Sequence, residues 1–184
     1  MAQTFETLDD TLVAWIDKQP VFFVATAPSE RDGHVNVSPK GYDSFRVLGP
    51  TRVAYLDLTG SGVETIAHIR DNGRLTVMFC AFTGPPRILR LYGSAEVVLP
   101  EDERFAALAG GFPALPGVRS IIVLSVERIT TSCGFAVPEM ELRRERPTLI
   151  EVSQRGMSAG TLPAYRAKEN AYSIDGLPGL LPEP

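Results

Sequence analysis

Tyr55-Leu56-Asp57-Leu58-Thr59-Gly60-Ser61-Gly62-Val63-Glu64-Thr65 carries the chain from a strand pattern into a helix pattern across a glycine-rich turn. Residues 52–57 are strand-like. Val63, Ile66 and Ile69 then recur on one helical face until Asn72-Gly73, a pair suited to a left-handed helix C-cap. Between the two, Thr59, Gly60, Ser61 and Gly62 can direct backbone N–H groups at an anion, and the dipole of the following helix adds favourable potential there. The same residues have a second reading. Ser61-x-x-Glu64 has the form of a capping box, in which Ser61 caps the helix and Glu64 reaches back to the cap. A carboxylate at Glu64 would also repel any phosphate it faced. On these residues alone both readings stand.

Upstream, Leu8, Leu12, Trp15 and Ile16 recur at helical spacing behind the acidic start Asp9-Asp10, and Gln19-Pro20 stops the run. A strand is expected over residues 21–27. The polar stretch 28–33 then turns into a second strand from His34, forming a hairpin. Downstream, strands are expected over 75–82 and 88–99, with Thr83-Gly84-Pro85-Pro86 between them. A short helix follows from Pro100 to Ala109, and then a long strand over 118–129, apolar enough at first to be covered on both faces and alternating later. Helices are expected over 147–155, with proline in the first turn, and over 162–170. The tail Gly176-Leu177-Pro178-Gly179-Leu180 reads as extended and packed. About six strands with short helices between them, and no regular β-α-β alternation, predict a mainly β fold with α, an antiparallel barrel with helices outside it. One domain is expected over 1–184, with the barrel core at about 21–131 and a C-terminal extension over 132–184.

The composition fits such a domain: 184 residues, 44% hydrophobic and 22% charged. The net charge of −4 argues against nucleic acid as the main partner, yet leaves room for a local basic pocket. No apolar stretch approaches the length of a membrane span, and the first residues lack the pattern of a secretory leader. Cys80 and Cys133 make a poor disulfide framework and suggest a reducing compartment, so a cytoplasmic location is expected.

Other candidates for chemistry each have a bland reading. Ser38-Pro39-Lys40-Gly41-Tyr42-Asp43 ends the second strand, and Lys40 can pair with a phosphate, lie beside an electron-rich ring edge, or be a solvated turn lysine. Arg87 and Arg90 lie three positions apart at a strand start, so they should face opposite sides. His34 and His68 are the only histidines, and no Cys or His pair has zinc spacing, so no metal site is expected. Cys80, inside an apolar strand, reads as core. Cys133 lies in a loop with no cation near it in sequence, and no Gly-x-Ser-x-Gly elbow is present.

The order of these pieces, from Val21 to Val98, resembles the pyridoxamine 5′-phosphate oxidase-like, FMN-binding split-barrel family. The string from Tyr55 to Thr65, followed by Asn72-Gly73-Arg74 and by Pro85-Pro86-Arg87-Ile88-Leu89-Arg90-Leu91-Tyr92-Gly93, looks like one uncharacterised branch of it. Ser132-Cys133-Gly134-Phe135 and Ser173-Ile174-Asp175-Gly176-Leu177-Pro178-Gly179 are similar to that branch as well. The resemblance implies a six-stranded split barrel that forms a homodimer, with FMN in the grooves between subunits. It implies that Ser38 and Lys40 run along the flavin ring, that Tyr55 and Asp57 supply backbone contacts, and that Thr59, Gly60, Ser61 and Gly62 meet the phosphate. The implied activity is that of an FMN-dependent oxidoreductase on a small molecule. The alternative is a non-catalytic protein that holds a flavin, a deazaflavin or a haem.

The chain departs from the oxidase pattern in three places. A Ser-Arg-Lys tripeptide of that enzyme is replaced by Ser61-Gly62-Val63, which removes two phosphate-binding cations. An arginine expected early in the second strand is missing around Val35-Asn36. The C-terminal signature for the vitamin B6 substrate gives way to Leu177-Pro178-Gly179-Leu180-Leu181, so oxidation of pyridoxamine phosphate itself is not expected. The phosphate is then expected on backbone N–H groups, Thr59, Ser61 and a displaced arginine, with Arg70, Arg87 and Arg90 as the candidates.

Overall fold

A computed structural model describes residues 2–180. The first helix, α1 (Asp10–Ile16), starts where its cap dictates: the Asp9 carboxylate accepts from the Leu12 amide at 2.8 Å. Its apolar stripe buries Leu12 and Ile16 against the barrel core, together with Leu8. The strands preceding the turn are β1 (Gln3–Phe5), β2 (Phe22–Thr26), β3 (Asn36–Lys40), β4 (Phe45–Gly49) and β5 (Arg52–Leu58). After helix α2 (Glu64–Asn72) come β6 (Arg74–Cys80), β7 (Ile88–Val98), the short helix α3 (Phe105–Ala109) and β8 (Val118–Ser132). Helices α4 (Thr148–Ser158) and α5 (Leu162–Glu169) complete the elements.

The strands form one antiparallel sheet in the order β3-β2-β6-β7-β8-β5-β4, with β1 added beside β8. The sheet curls so that Val24, Val53, Val77, Leu89, Ile122 and Ile129 share one core, and α2 packs Ile66 and Ile69 into it. The outer faces of β5 and β8 carry a second cluster, Ala54, Leu56, Ile121 and Val123, covered by Phe105 and Leu108 of α3. Covering on both faces explains the continuous apolar start of β8. Its later residues alternate, with Ser125 and Glu127 exposed on either side of buried Val126.

The described chain has eight strands, where about six were expected. The addition of β1 rests on pairing alone: three residues, Gln3 to Phe5, line up with Ile129 to Thr131, and no local periodicity announces so short a strand. The other, β4, forms a tight hairpin with β5. The Ser61 capping box does not form. The helix begins later, with Val63 at the N-cap and no side-chain cap bond, while Gly73 closes it in the left-handed conformation at φ 73° as expected. At the β7–β8 pair the register shifts at Tyr92/Gly93, and a Cβ at Gly93 would overlap the Ser125 carbonyl, so only glycine fits that close approach. The tail packs as expected, with Leu180 against the main core; Leu181 lies outside the described residues.

The free ends of the sheet are β3 and β4, and no ladder joins β3 to β4 or to β5 among the described residues, so the sheet is split there. Side chains bridge the gap. The Asn36 amide donates to Thr65 Oγ1 at 3.1 Å, and Lys40 Nζ lies 3.6 Å from Asp57 Oδ1.

Candidate functional site at the turn after β5

The turn that follows β5 is anchored at Thr59 and through the carbonyls of Gly60 and Gly62. Thr59 donates to the Gly117 carbonyl from both its amide and its hydroxyl, each at 2.8 Å. The same hydroxyl accepts from Arg166 Nε at 2.9 Å. The Gly60 carbonyl accepts from the Asn170 amide at 2.9 Å, and the Gly62 carbonyl accepts from Arg119 Nη1 at 2.8 Å. The amide donors of Gly60, Ser61 and Gly62, by contrast, have no acceptor among the described residues. A loop whose Gly60 and Gly62 carbonyls are held while its Gly60, Ser61 and Gly62 amides stay open is arranged to receive an anion. Glu64 modifies this: its carboxylate folds against Gly62 and accepts from the Ile174 amide at 3.4 Å, in front of the α2 N-terminus. An anion therefore approaches the Gly60 and Ser61 side of the turn rather than the helix axis.

Beneath the turn lies a buried charge cluster. Asp57, with no exposed surface, accepts from Arg119 Nε at 2.7 Å and from Ser120 Oγ at 3.2 Å, with Lys40 also beside it. Burial works to raise the Asp57 carboxyl, but Arg119 and Lys40 outweigh it and hold the group below its ordinary value. Arg166 completes the set. Burial and the neighbouring Arg119 both disfavour its charge, and Asp57 and Glu101 compensate only in part. Its guanidinium also donates to the Gly117 and Val118 carbonyls, at 3.3 and 3.0 Å, which holds it against the turn. Two guanidinium groups thus meet at this turn, and an anion placed there would relieve their mutual repulsion.

The sequence-predicted residues divide into those at this site and those elsewhere. Thr59, Gly60, Ser61 and Gly62 form the turn itself. Ser38 and Lys40 share the inner face of β3, because they pair with Val24 and Phe22 of the core. The Ser38 hydroxyl is buried in the split without a partner among the described residues, and the Tyr55 hydroxyl, beside Thr65, has no hydrogen bond of regular geometry. Asp57 is committed to Arg119 and Lys40, so its side chain serves the cluster. Arg87 and Arg90 lie away from these contacts: the Arg87 guanidinium sits over the Trp15 ring, 5.8 Å from its centroid, and Arg90 donates to Ser132 Oγ at 3.2 Å. Arg70 donates to the Gly179 carbonyl.

The cations at the turn are Arg119 and Arg166, which sequence reasoning missed. Arg119 carried one signal, an isolated charge at the start of an otherwise apolar strand. Arg166 carried none, being one of several charges on a polar helix. Of the other candidates, His68 is buried against Thr26 Oγ1 at 3.0 Å with its Nε2 unpartnered, and exposed His34 pairs with Asp175 at 2.6 Å. Cys80 is buried, as expected for a core residue, and Cys133 is exposed. No helix among the described residues is long and apolar enough to cross a membrane.

A split antiparallel barrel, plugged by a helix that begins at a glycine turn, defines the class of this protein. The family described as pyridoxamine 5′-phosphate oxidase matches residues 8–133, and the chain belongs to it. It is similar to the pyridoxamine 5′-phosphate oxidase family protein ustO of Aspergillus flavus, at 44% identity over 192 residues, covering 96% of this chain and 77% of that protein. Among solved structures it is similar to HupZ of Group A Streptococcus, at 25% identity, with a TM-score of 0.53 and coverage of 66% of this chain and 91% of that one. A point variant of HupZ gives a TM-score of 0.54, again at 25% identity, covering 67% of this chain and 98% of that one.

Proposed function

We propose that this chain binds FMN, free or as the FMN half of a larger flavin, and works as an FMN-dependent oxidoreductase on a small molecule. The observation that carries this reading is the convergence of Arg119 and Arg166 on a turn whose Gly60, Ser61 and Gly62 amides are open. Charge-assisted hydrogen bonds contribute about 1.5–3 kcal/mol each, so Arg166 and the amides offset the two cations absent from Gly62 and Val63. Arg119 acts at one remove: it fixes the turn through the Gly62 carbonyl and keeps the local potential positive while Asp57 balances it. The Ser38 hydroxyl, unpartnered on the face of β3 that it shares with Lys40, suits the polar chain of the cofactor. A bound flavin supplies the hydride or single-electron transfer, and the residues named here hold and orient it.

The same reading includes a homodimer in the cytoplasm, with the cofactor in the groove between subunits. It is supported by the edge strand β3 and the residue before it, where Val37 is 61% and Val35 71% exposed, an apolar edge suited to association. The substrate is a molecule other than pyridoxamine phosphate, for which the tail lacks a receptor.

The visible spectrum of freshly purified protein tests the proposal. A flavin spectrum, with the flavin released on denaturation, is expected, and a colourless protein that takes up no added flavin at about micromolar concentration overturns it. Gly60→Asp then tests the turn, since it adds a carboxylate at a position with open space, on the side where the phosphate approaches. Affinity for FMN should fall about tenfold or more, and an unchanged affinity would place the phosphate elsewhere.

A further inference from the structure

A cavity of about 340 Å³ lies between the end of α1 and the loop that joins β3 to β4, and none of its lining residues belongs to the glycine turn. It falls within the roughly 300–1,000 Å³ typical of small-molecule sites, at the lower end. Phe22, Phe45 and Phe79 form its floor, three rings in mutual contact with centroids between 5.0 and 5.7 Å apart. Phe22 and Phe79 belong to the buried core, so the floor is fixed. Tyr42 forms one wall. Among the described residues it is the non-glycine residue with positive φ, at 60°, and its hydroxyl is spent on the Arg146 carbonyl at 2.6 Å.

Which ligand suits these walls follows from the polar groups left over. Arg46 is the cation in the lining, and four of its five donors are engaged: Nε on the Gly111 carbonyl at 2.7 Å, Nη1 on the Phe45 carbonyl at 2.7 Å and on Asp43, and Nη2 on Asp43 at 2.8 Å. Asp43 also neutralises its charge. The Asp17 carboxylate, on the α1 side, has no hydrogen-bond or ion-pair partner among the described residues and adds only the weakest of the favourable fields at Arg46. The cavity therefore offers a free pair of anionic oxygens above aromatic rings, and no free cation. A carboxylated or phosphorylated ligand would meet the Asp17 charge and find no open guanidinium fork. A cation would gain from the carboxylate and from the negative ring faces together.

We infer that this cavity binds a small organic cation, an ammonium group carried on a single apolar ring, with the ammonium on Asp17 and the ring against Phe22, Phe45 and Phe79 beside Tyr42. The inference goes beyond the flavin reading above and is independent of it, because it uses other residues and needs no bound cofactor.

The test is calorimetric titration of the purified protein at neutral pH with three ligands of one skeleton: 2-phenylethylamine, 2-phenylethanol and phenylacetate. The amine is expected to bind about fivefold or more tightly than the alcohol, and phenylacetate more weakly than either. Asp17 is exposed, so Asp17→Asn leaves the fold as it was. It should bring the amine to within about twofold of the alcohol and leave the alcohol unchanged. Tyr42→Gly removes a wall and relaxes the left-handed backbone, so both amine and alcohol should weaken by about fivefold while urea unfolding shows a folded protein. Phenylacetate binding as tightly as the amine, an amine preference that survives Asp17→Asn, or no binding of any of the three at about 10 mM overturns the inference. The visible spectrum of the same samples reads the flavin separately: flavin present without amine binding refutes this inference alone, and amine binding to a protein that takes up no flavin refutes only the flavin reading.

Discussion

Replacing Asp57 by asparagine leaves Arg119, Lys40 and Arg166 around a neutral side chain. Asp57→Asn preserves shape and one acceptor oxygen, so the loss is the charge itself. Arg119 bears most of the consequence. Its side chain is 4% exposed, and its bonds to the two Asp57 oxygens, at 2.7 and 3.4 Å, are what compensate its burial. Lys40, at 21% exposure, can turn to water at little expense. Breaking a buried pair by removing one partner costs about 3–5 kcal/mol, and the retained amide oxygen argues for the lower end. At about 2–4 °C per kcal/mol for a chain of this size, the thermal midpoint should fall by roughly 6–12 °C. The Asp57 carboxyl is held below its ordinary value in the folded state, so its stabilising effect is present above that ordinary value and is lost as pH falls through the folded one. Urea unfolding at neutral pH and under acid conditions measures both effects: the variant should be weaker at neutral pH and lose less on acidification. Adding Arg119→Met should recover most of the loss, because the uncompensated guanidinium is gone. A loss below about 1 kcal/mol for Asp57→Asn, or an additive double variant, would refute the view that this pair is buried and coupled.

Gly93→Ala drives a methyl group into the Ser125 carbonyl where β7 shifts register, and should destabilise the fold by about 2–4 kcal/mol in urea unfolding, whereas the same change at Gly60, which has open space around its Cβ position, should cost about 1 kcal/mol or less. His68 is held below the ordinary value of 6.5 chiefly by burial, against the partial opposition of Asp175, Glu64 and Asp71. The folded state therefore resists protonating it, so this contribution to stability is complete above 6.5 and is lost as pH falls from there towards the lower folded value. Comparison of His68→Gln with the parent across that range should show a flatter pH dependence in the variant, and parallel curves would mean that His68 takes no part.

Much of the fold was legible because its signals are local. The strand-to-helix switch at Tyr55–Thr65 shows in the change of apolar period, and the αL end of α2 shows in Asn72-Gly73. The buried start and alternating end of β8 could likewise be read directly. The capping box failed because the pattern Ser61-x-x-Glu64 specifies a helix start only if the backbone enters the helix there. In this chain Thr59, Gly60 and Gly62 are tied to Gly117, Asn170 and Arg119, which delay the start to Glu64. Strand β1 was silent for a similar reason, since three residues gain their extended form only from β8 beside them.

The glycine turn, then, was visible from sequence alone as a strand–turn–helix junction able to present amide groups, because glycine content and apolar period depend only on neighbouring residues. Which cations stand around it was decided by tertiary structure. Arg119 reaches Asp57 across 62 positions, and Arg166 reaches Thr59 across 107. The nearer candidates are engaged elsewhere: the β7–β8 register holds Arg90 on Ser132, and Arg87, just before β7, sits over Trp15 of α1. Spacing along a chain determines which residues share a strand face or a helix stripe. The order of strands in the sheet and the packing of α5 against the turn determine which charges meet, and no local pattern encodes that.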